Sequence, residues 1–178
     1  MSSIDFTRDH FALFELPPTF ALDKTKLDNA YRALQAEVHP DRFASESEAD
    51  RRLSLQWATQ VNTAFQVLKS PLNRARYLLQ LNGVDTAEET NTAMPAAFLM
   101  EQMEWRESIE EMRGTQDVNA LENLSRQLQK ETQALNGLLE QQIDSEKDYT
   151  GAALTVRKLK FLEKLDEEIS SAIEAALG

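Results

Sequence analysis

An all-α fold in two parts is what the sequence predicts, and three observations carry the prediction. Apolar residues recur at steps of three and four through most of the chain, no segment shows the period-two alternation of a strand, and a polar stretch from Asn82 to Pro95 lacks aliphatic periodicity. The expected domains are residues 1–82, an antiparallel helical hairpin with two short flanking helices, and residues 95–178, an elongated three-helix bundle, joined by a linker at 83–94.

Before the linker four helices are expected: Asp9 to Leu16, Lys24 to Val38, about Glu48 to Leu68, and Leu72 to Leu81. Asp23 is a plausible N-cap for the second, whose Leu27, Tyr31, Leu34 and Val38 fall on one face. The third carries Leu53, Trp57, Val61, Phe65 and Leu68 at helical steps, so both can bury a stripe against each other as a hairpin. After the linker, whose composition includes Gly83, Asp85, Glu88 and Glu89, come about Pro95 to Arg113, Asp117 to Ser145 and Thr150 to Leu177. Pro95 suits a first helical position, Gly114 is expected to end its helix, and Gly151 is tolerable within a first turn. The last two helices repeat Leu121, Leu124, Leu128, Leu135, Leu138 and Leu154, Leu162, Leu165, Ile169, Ala176, close to heptad spacing.

Composition narrows the function. A chain of 178 residues that is 42% hydrophobic can pack a core, and its complete lack of cysteine removes disulfides, thiolate metal sites and a nucleophilic thiol. The two histidines, His10 and His39, have no partner at metal-binding helical spacing. Neither a metalloenzyme nor a resident cofactor is expected, and any cluster chemistry belongs to a partner. The net charge of -11 arises in the second half: residues 1–82 carry ten basic and ten acidic side chains, residues 83–178 nine and twenty. An acidic surface argues against nucleic acid and against anionic membranes. The first nine residues hold Asp5, Arg8 and Asp9 and no apolar run, so a cytoplasmic protein is expected.

His39-Pro40-Asp41 stands where the second helix ends. Proline drives the preceding residue out of the α region, so His39 leaves the helix and exposes its ring in the turn. No neighbouring nucleophile, glycine-rich phosphate cradle or second titratable partner makes this a catalytic constellation; it reads as a contact surface. With Ala30 to Leu34 before it and Asn62 to Leu68 on the returning helix, the segment over residues 9–81 resembles the J-domain family and its HPD loop. The resemblance implies that His39, Pro40 and Asp41, with Arg32 and Arg42 as basic neighbours, dock on a DnaK-type chaperone and stimulate its ATPase. Arg42 stands where lysine is common in that family.

The helix from Pro95 to Arg113 has two stripes. Phe98, Trp105, Ile109 and Met112 share one side, and Leu99, Met100, Met103, Glu104, Glu107 and Glu111 the other. The first is the better core face. The second, apolar and rimmed by carboxylates, reads as an interaction surface, the alternative being burial against the first domain. Ala97 to Glu104, Val156 to Leu165 and His39 to Phe43 together make the chain, from about Asp9 to its end, similar to the HscB family of iron-sulfur cluster assembly. That similarity implies that the second domain binds the cluster scaffold IscU through Leu99, Met100, Met103, Glu104, Glu107, Glu111 and Phe161. It also implies that the first domain delivers the scaffold to HscA, a DnaK-type ATPase. All of these residues except Phe161 also follow from the helical wheel. A structural adaptor without ATPase-stimulating activity is the alternative function.

Overall fold

The computed structural model describes residues 5–88 and 93–178, so the expected linker's Glu89 and the first four residues lie outside the described residues. Every regular element among the described residues is helical, with no strand, and they divide into two compact units, one reaching to Leu78 and the other beginning at Leu79.

The first unit holds α1 (His10–Leu13), α2 (Lys24–Val38), a 3-10 turn (Pro40–Phe43), α3 (Glu48–Lys69) and most of α4 (Pro71–Leu81). Side chains cap all four α-helices, Ser70 at the start of α4 by accepting the Asn73 N–H at 3.3 Å. Asp9 accepts the Ala12 N–H, Asp23 the Lys26 N–H, and Ser47 the Asp50 N–H. α1 is shorter than the expected Asp9 to Leu16, because Glu15 turns left-handed at φ 54° and the Leu16 N–H reaches back to Phe11 O. α2 and α3 form the expected hairpin: Tyr31 meets Asn62 and Val38 meets Ser54, so the residues advance in opposite directions. Phe11, Leu27, Val38, Val61 and Leu68 lie at the centre of this core, each at most 2% exposed.

One expected core position is corrected. Leu53 is 40% exposed and Ser54 beside it is fully buried, because the buried stripe of α3 runs Ser54, Val61, Phe65, Leu68, one residue out of phase with Leu53. Ser54 tolerates the interior because its hydroxyl donates to Val38 O at 2.8 Å. Arg74 on α4 is buried too. Its Nε donates to Phe20 O at 2.8 Å, its Nη1 to Leu68 O at 2.7 Å, and its guanidinium lies 4.9 Å from the Phe20 ring centre. Charge-assisted bonds thus satisfy carbonyls at the end of α3 and in the loop before α2. Burial beneath Tyr77, on which it stacks at 4.3 Å, pushes the His10 imidazole below its ordinary pKa.

The second unit is the expected three-helix bundle: α5 (Ala96–Thr115), α6 (Val118–Glu140), a π turn (Gln141–Glu146) and α7 (Tyr149–Leu177). At about 1.5 Å per residue the helices are roughly 30, 35 and 44 Å long. Ile109, Leu124, Leu128, Leu162, Leu165 and Ile169 form its core, with Trp105, Leu135, Phe161 and Ile173 packed against it. Pro95 is the cap residue of α5 and not its first helical residue. Gly114 does not end α5; the helix continues to Thr115 and stops where Gln116 adopts a left-handed conformation at φ 52°. Leu138, an expected core position, is 39% exposed, and Leu139 is fully buried instead. An α-helix drifts by about 20° per heptad from a strict 3.5-residue repeat, which brings Leu139 to the seam three turns after Leu128. By the same drift Leu154 and Ala176 are only half-buried, and Ala152, Val156 and Leu159 fill the seam of α7.

At the start of the second unit, Gly83 takes φ 73° and closes α4, with Val84 N–H on Leu79 O at 2.9 Å. Arg157 on α7 then holds the following segment by donating to Thr86 O at 2.9 Å.

Gly151 is tolerated in the first turn of α7 and leaves room there for the helix cap. The Asp148 carboxylate caps α7 by accepting the Gly151 N–H at 2.9 Å, and a Cβ at Gly151 would overlap that carboxylate and come to 3.0 Å from Gln142 Nε2. Gly151→Ala is therefore expected to leave stability nearly unchanged, the lost cap costing about 1 kcal/mol and offsetting the similar amount by which helix preference favours alanine. An unchanged midpoint in urea unfolding checks this; a raised midpoint would show that the cap relocates without cost.

Candidate functional site

The turn after α2 is built by its proline. His39 sits at φ -59° and ψ 131°, outside the helix as Pro40 demands, and the Pro40–Phe43 turn follows at once. Within it, Arg42 N–H donates to His39 O at 3.0 Å and Asp41 N–H donates to His39 Nδ1 at 3.2 Å. A ring nitrogen that accepts carries no proton, so the neutral imidazole keeps its hydrogen on Nε2 as its one donor. The Asp41 carboxylate lies 3.6 Å from His39 Nδ1, close enough for an ion pair when the ring is protonated. Both side chains are open to solvent: His39 is 53% exposed and Asp41 92%.

Two groups tie the turn to the hairpin. Arg42 Nη1 donates to Ala36 O at 3.3 Å, placing a cation at the end of a helix whose own last turn has none. Ser54 reaches Val38 O from the opposite helix, and a buried carbonyl left without such a donor costs about 1–3 kcal/mol. Phe43, the last residue of the turn, meets Trp57 of α3 edge to face at 6.2 Å. Arg32 is exposed on α2, about 10 Å before His39 along the helix axis. Ser54 and Trp57 were not among the residues read from sequence as part of this site. Trp57 entered only as a core position, and no local pattern marks a lone serine as a cap for another helix.

The second candidate surface is on α5. Leu99, Met100 and Met103 are 43%, 64% and 63% exposed, while Phe98 and Ile109 on the other side of the same helix are 6% and 0% exposed. Glu104, Glu107 and Glu111 are exposed beside the methionines. The apolar and acidic stripe is therefore at the surface, and the aromatic stripe is in the core. Phe161, joined to this face only by family resemblance, stands apart in character: it is half-buried on α7, meets Phe98 edge to face at 5.8 Å, and has the Arg106 guanidinium 5.5 Å from its ring centre. A small cavity of about 120 Å³ adjoins it, lined by Phe98, Trp105, Lys158 and Leu162 among others.

Among the described residues no group of histidines and carboxylates is placed to hold a metal ion, and no helix is long and apolar enough to cross a membrane. The turn and the α5 face can each offer contacts to another macromolecule.

Comparison with known proteins bears on both. Residues 94–170 match the family described as the HSCB C-terminal oligomerisation domain. A curated relative named as the co-chaperone protein HscB homolog of Chromobacterium violaceum is 59% identical over 173 residues, covering 97% of this chain and 98% of the relative. The solved chaperone HscB from Vibrio cholerae is similar at 38% identity with a TM-score of 0.84, covering 95% of this chain and 99% of that one. The human co-chaperone protein HscB is similar at 29% identity with a TM-score of 0.87, covering 93% and 82%.

Proposed function

The chain belongs to the HscB family of co-chaperones, and on that premise we propose that it joins an iron-sulfur cluster scaffold to an ATPase. Its N-terminal J-domain, residues 1–82, docks on a DnaK-type chaperone, HscA, and stimulates ATP hydrolysis there. Beyond a linker at 83–94, residues 95–178 bind the scaffold IscU. The carrying observation is the turn itself: His39 and Asp41 are exposed, yet their backbone is stitched by the His39 acceptors and held by Arg42 and Ser54. Such a turn is preorganised for a partner, which saves the ordering cost of binding. Exposed Arg32 on α2 and Arg42 in the turn supply positive charge to this docking surface.

The α5 face fits the scaffold role for a different reason. Exposed methionines adapt to a partner's shape, and flanking carboxylates favour a basic rim opposite them. On this reading the chain catalyses nothing itself, acts in the cytoplasm, and carries no cofactor. Single-turnover ATP hydrolysis by HscA and by DnaK, with this chain and IscU added separately and together, tests the reading. Stimulation by the chain, increased by IscU and greater for HscA, is the expected result. An absence of stimulation with either chaperone would leave only a helical adaptor.

A further inference from the structure

Phe6, in the segment before α1, lies parallel to the indole of Trp57 with ring centres 5.5 Å apart and planes 9° apart, and Gln60 Nε2 donates to Phe6 O at 3.0 Å. The same indole meets Phe43 edge to face at 6.2 Å, at the end of the turn that carries His39 and Asp41. All three rings are half-buried. The segment around Phe6 is itself shaped: Thr7 N–H donates to Asp5 Oδ1 at 3.0 Å, and Arg8 faces Asp5 at 3.7 Å. Phe6 thus has its own support and a polar anchor on α3, independent of the stack.

From this arrangement we propose that Phe6 and Trp57 are positioning residues for the chaperone-docking turn: the Phe6 ring holds the Trp57 indole against Phe43, and so fixes the backbone of residues 40–43. The inference rests on the docking role proposed above for that turn. Of the turn's polar ties, the Asp41 N–H bond to His39 is local, the Arg42 bond runs back to Ala36 on α2, and the Ser54 bond meets Val38 just before the turn. Its end has Ala44 N–H on Asp41 O at 3.5 Å and Glu46 N–H on Phe43 O at 3.0 Å, both local bonds. The aromatic contact of Phe43 with Trp57 joins that end to α3. An aromatic pair contributes beyond its buried area only when its geometry is held, and the bond from Gln60 holds it from the outer side.

The consequence is a population effect. Loosening Phe43 leaves the turn in its docking conformation only part of the time, which raises the apparent dissociation constant by the reciprocal of that fraction and leaves the bound state unaltered. Phe6→Ala should therefore raise the concentration of this chain giving half-maximal stimulation of a DnaK-type chaperone by about 3- to 10-fold, with the maximal rate unchanged. Trp57→Leu should do the same, and Phe6→Tyr and Trp57→Phe should restore the original value. The backbone order parameters of Asp41 and Arg42, measured by nuclear magnetic resonance on the full chain, should fall in the first two variants and recover in the last two. Helicity of each variant is measured alongside. His39→Gln in the same assay separates docking by the turn from its positioning by the aromatic contact. If it stimulates like the unaltered chain, the docking role of the turn fails and this inference fails with it. If His39→Gln is inactive but Phe6→Ala has an unchanged half-maximal concentration, only the positioning role is overturned. A raised half-maximal concentration with unchanged order at Asp41 and Arg42 would also overturn it, since Phe6 would then be touching the chaperone directly.

Discussion

His39→Gln, or Asp41→Asn, should bring ATP hydrolysis down to the rate of the chaperone alone while leaving the fold of this chain intact. The separation of these effects follows from where the side chains are. Asp41 is 92% exposed and His39 53%, so neither has much packing to lose, and surface substitutions of this kind change stability by no more than about 0.5 kcal/mol. Both variants retain two ties of the backbone that presents them, Arg42 through Ala36 O and Ser54 through Val38 O, and His39→Gln gives up only the exposed bond from Asp41 N–H to the ring. Glutamine keeps a donor but not the rigid ring, and asparagine keeps the shape of aspartate without its charge. Single-turnover hydrolysis together with calorimetric unfolding checks the pair of outcomes. Full stimulation by either variant would remove the turn from the docking surface.

Met100→Ala combined with Met103→Ala should weaken scaffold binding by about 100-fold, mainly through faster dissociation. Complete burial of one methionine side chain contributes roughly 1.5 to 3 kcal/mol, and these two begin 64% and 63% exposed, so most of that area remains to be covered by a partner. Exposed carboxylates act differently. A rim ion pair contributes about 0 to 1 kcal/mol and is screened by salt, so Glu104→Ala combined with Glu107→Ala should chiefly slow association and flatten its salt dependence. Neither double variant touches the turn at His39, and ATPase stimulation without scaffold should persist in both. Binding kinetics at low and high salt distinguish the two patterns, and wild-type affinity in the methionine variant would exclude the α5 face.

Periodicity made the helices legible before any coordinates. Lys24–Val38 agrees to the residue, and the split of α5 into a buried aromatic stripe and an exposed apolar one follows from a 100° wheel alone. Interactions between distant parts of the chain were not legible. Ser54 is buried because a carbonyl on another helix needs a donor, and Arg74 because carbonyls of Phe20 and Leu68 do. Nothing near either residue in sequence announces this. Phase was the second loss. A heptad template assigned Leu138 to the seam, but an unsupercoiled helix carries the seam to Leu139 and then passes into a π turn, where Gln142 accepts a bond from Thr155 at 2.9 Å. Glycine was the third, since Gly114 looked like a stop and Gln116 made the left-handed turn without one. Of the surface residues, Phe161 came from family resemblance only, and its half-buried seat against Phe98 explains why no exposed stripe revealed it.

The chain's two tryptophans fall one to each compact unit, and this makes the protein its own pair of spectroscopic probes. Trp57 meets Phe6 and Phe43 beside the turn, and Trp105 packs on the core of the bundle from α5. Replacing Trp105 by phenylalanine leaves an emission signal that belongs to the turn, and replacing Trp57 leaves one that belongs to the bundle. Followed through a denaturant titration, the two signals report separately on whether the units melt together or in sequence.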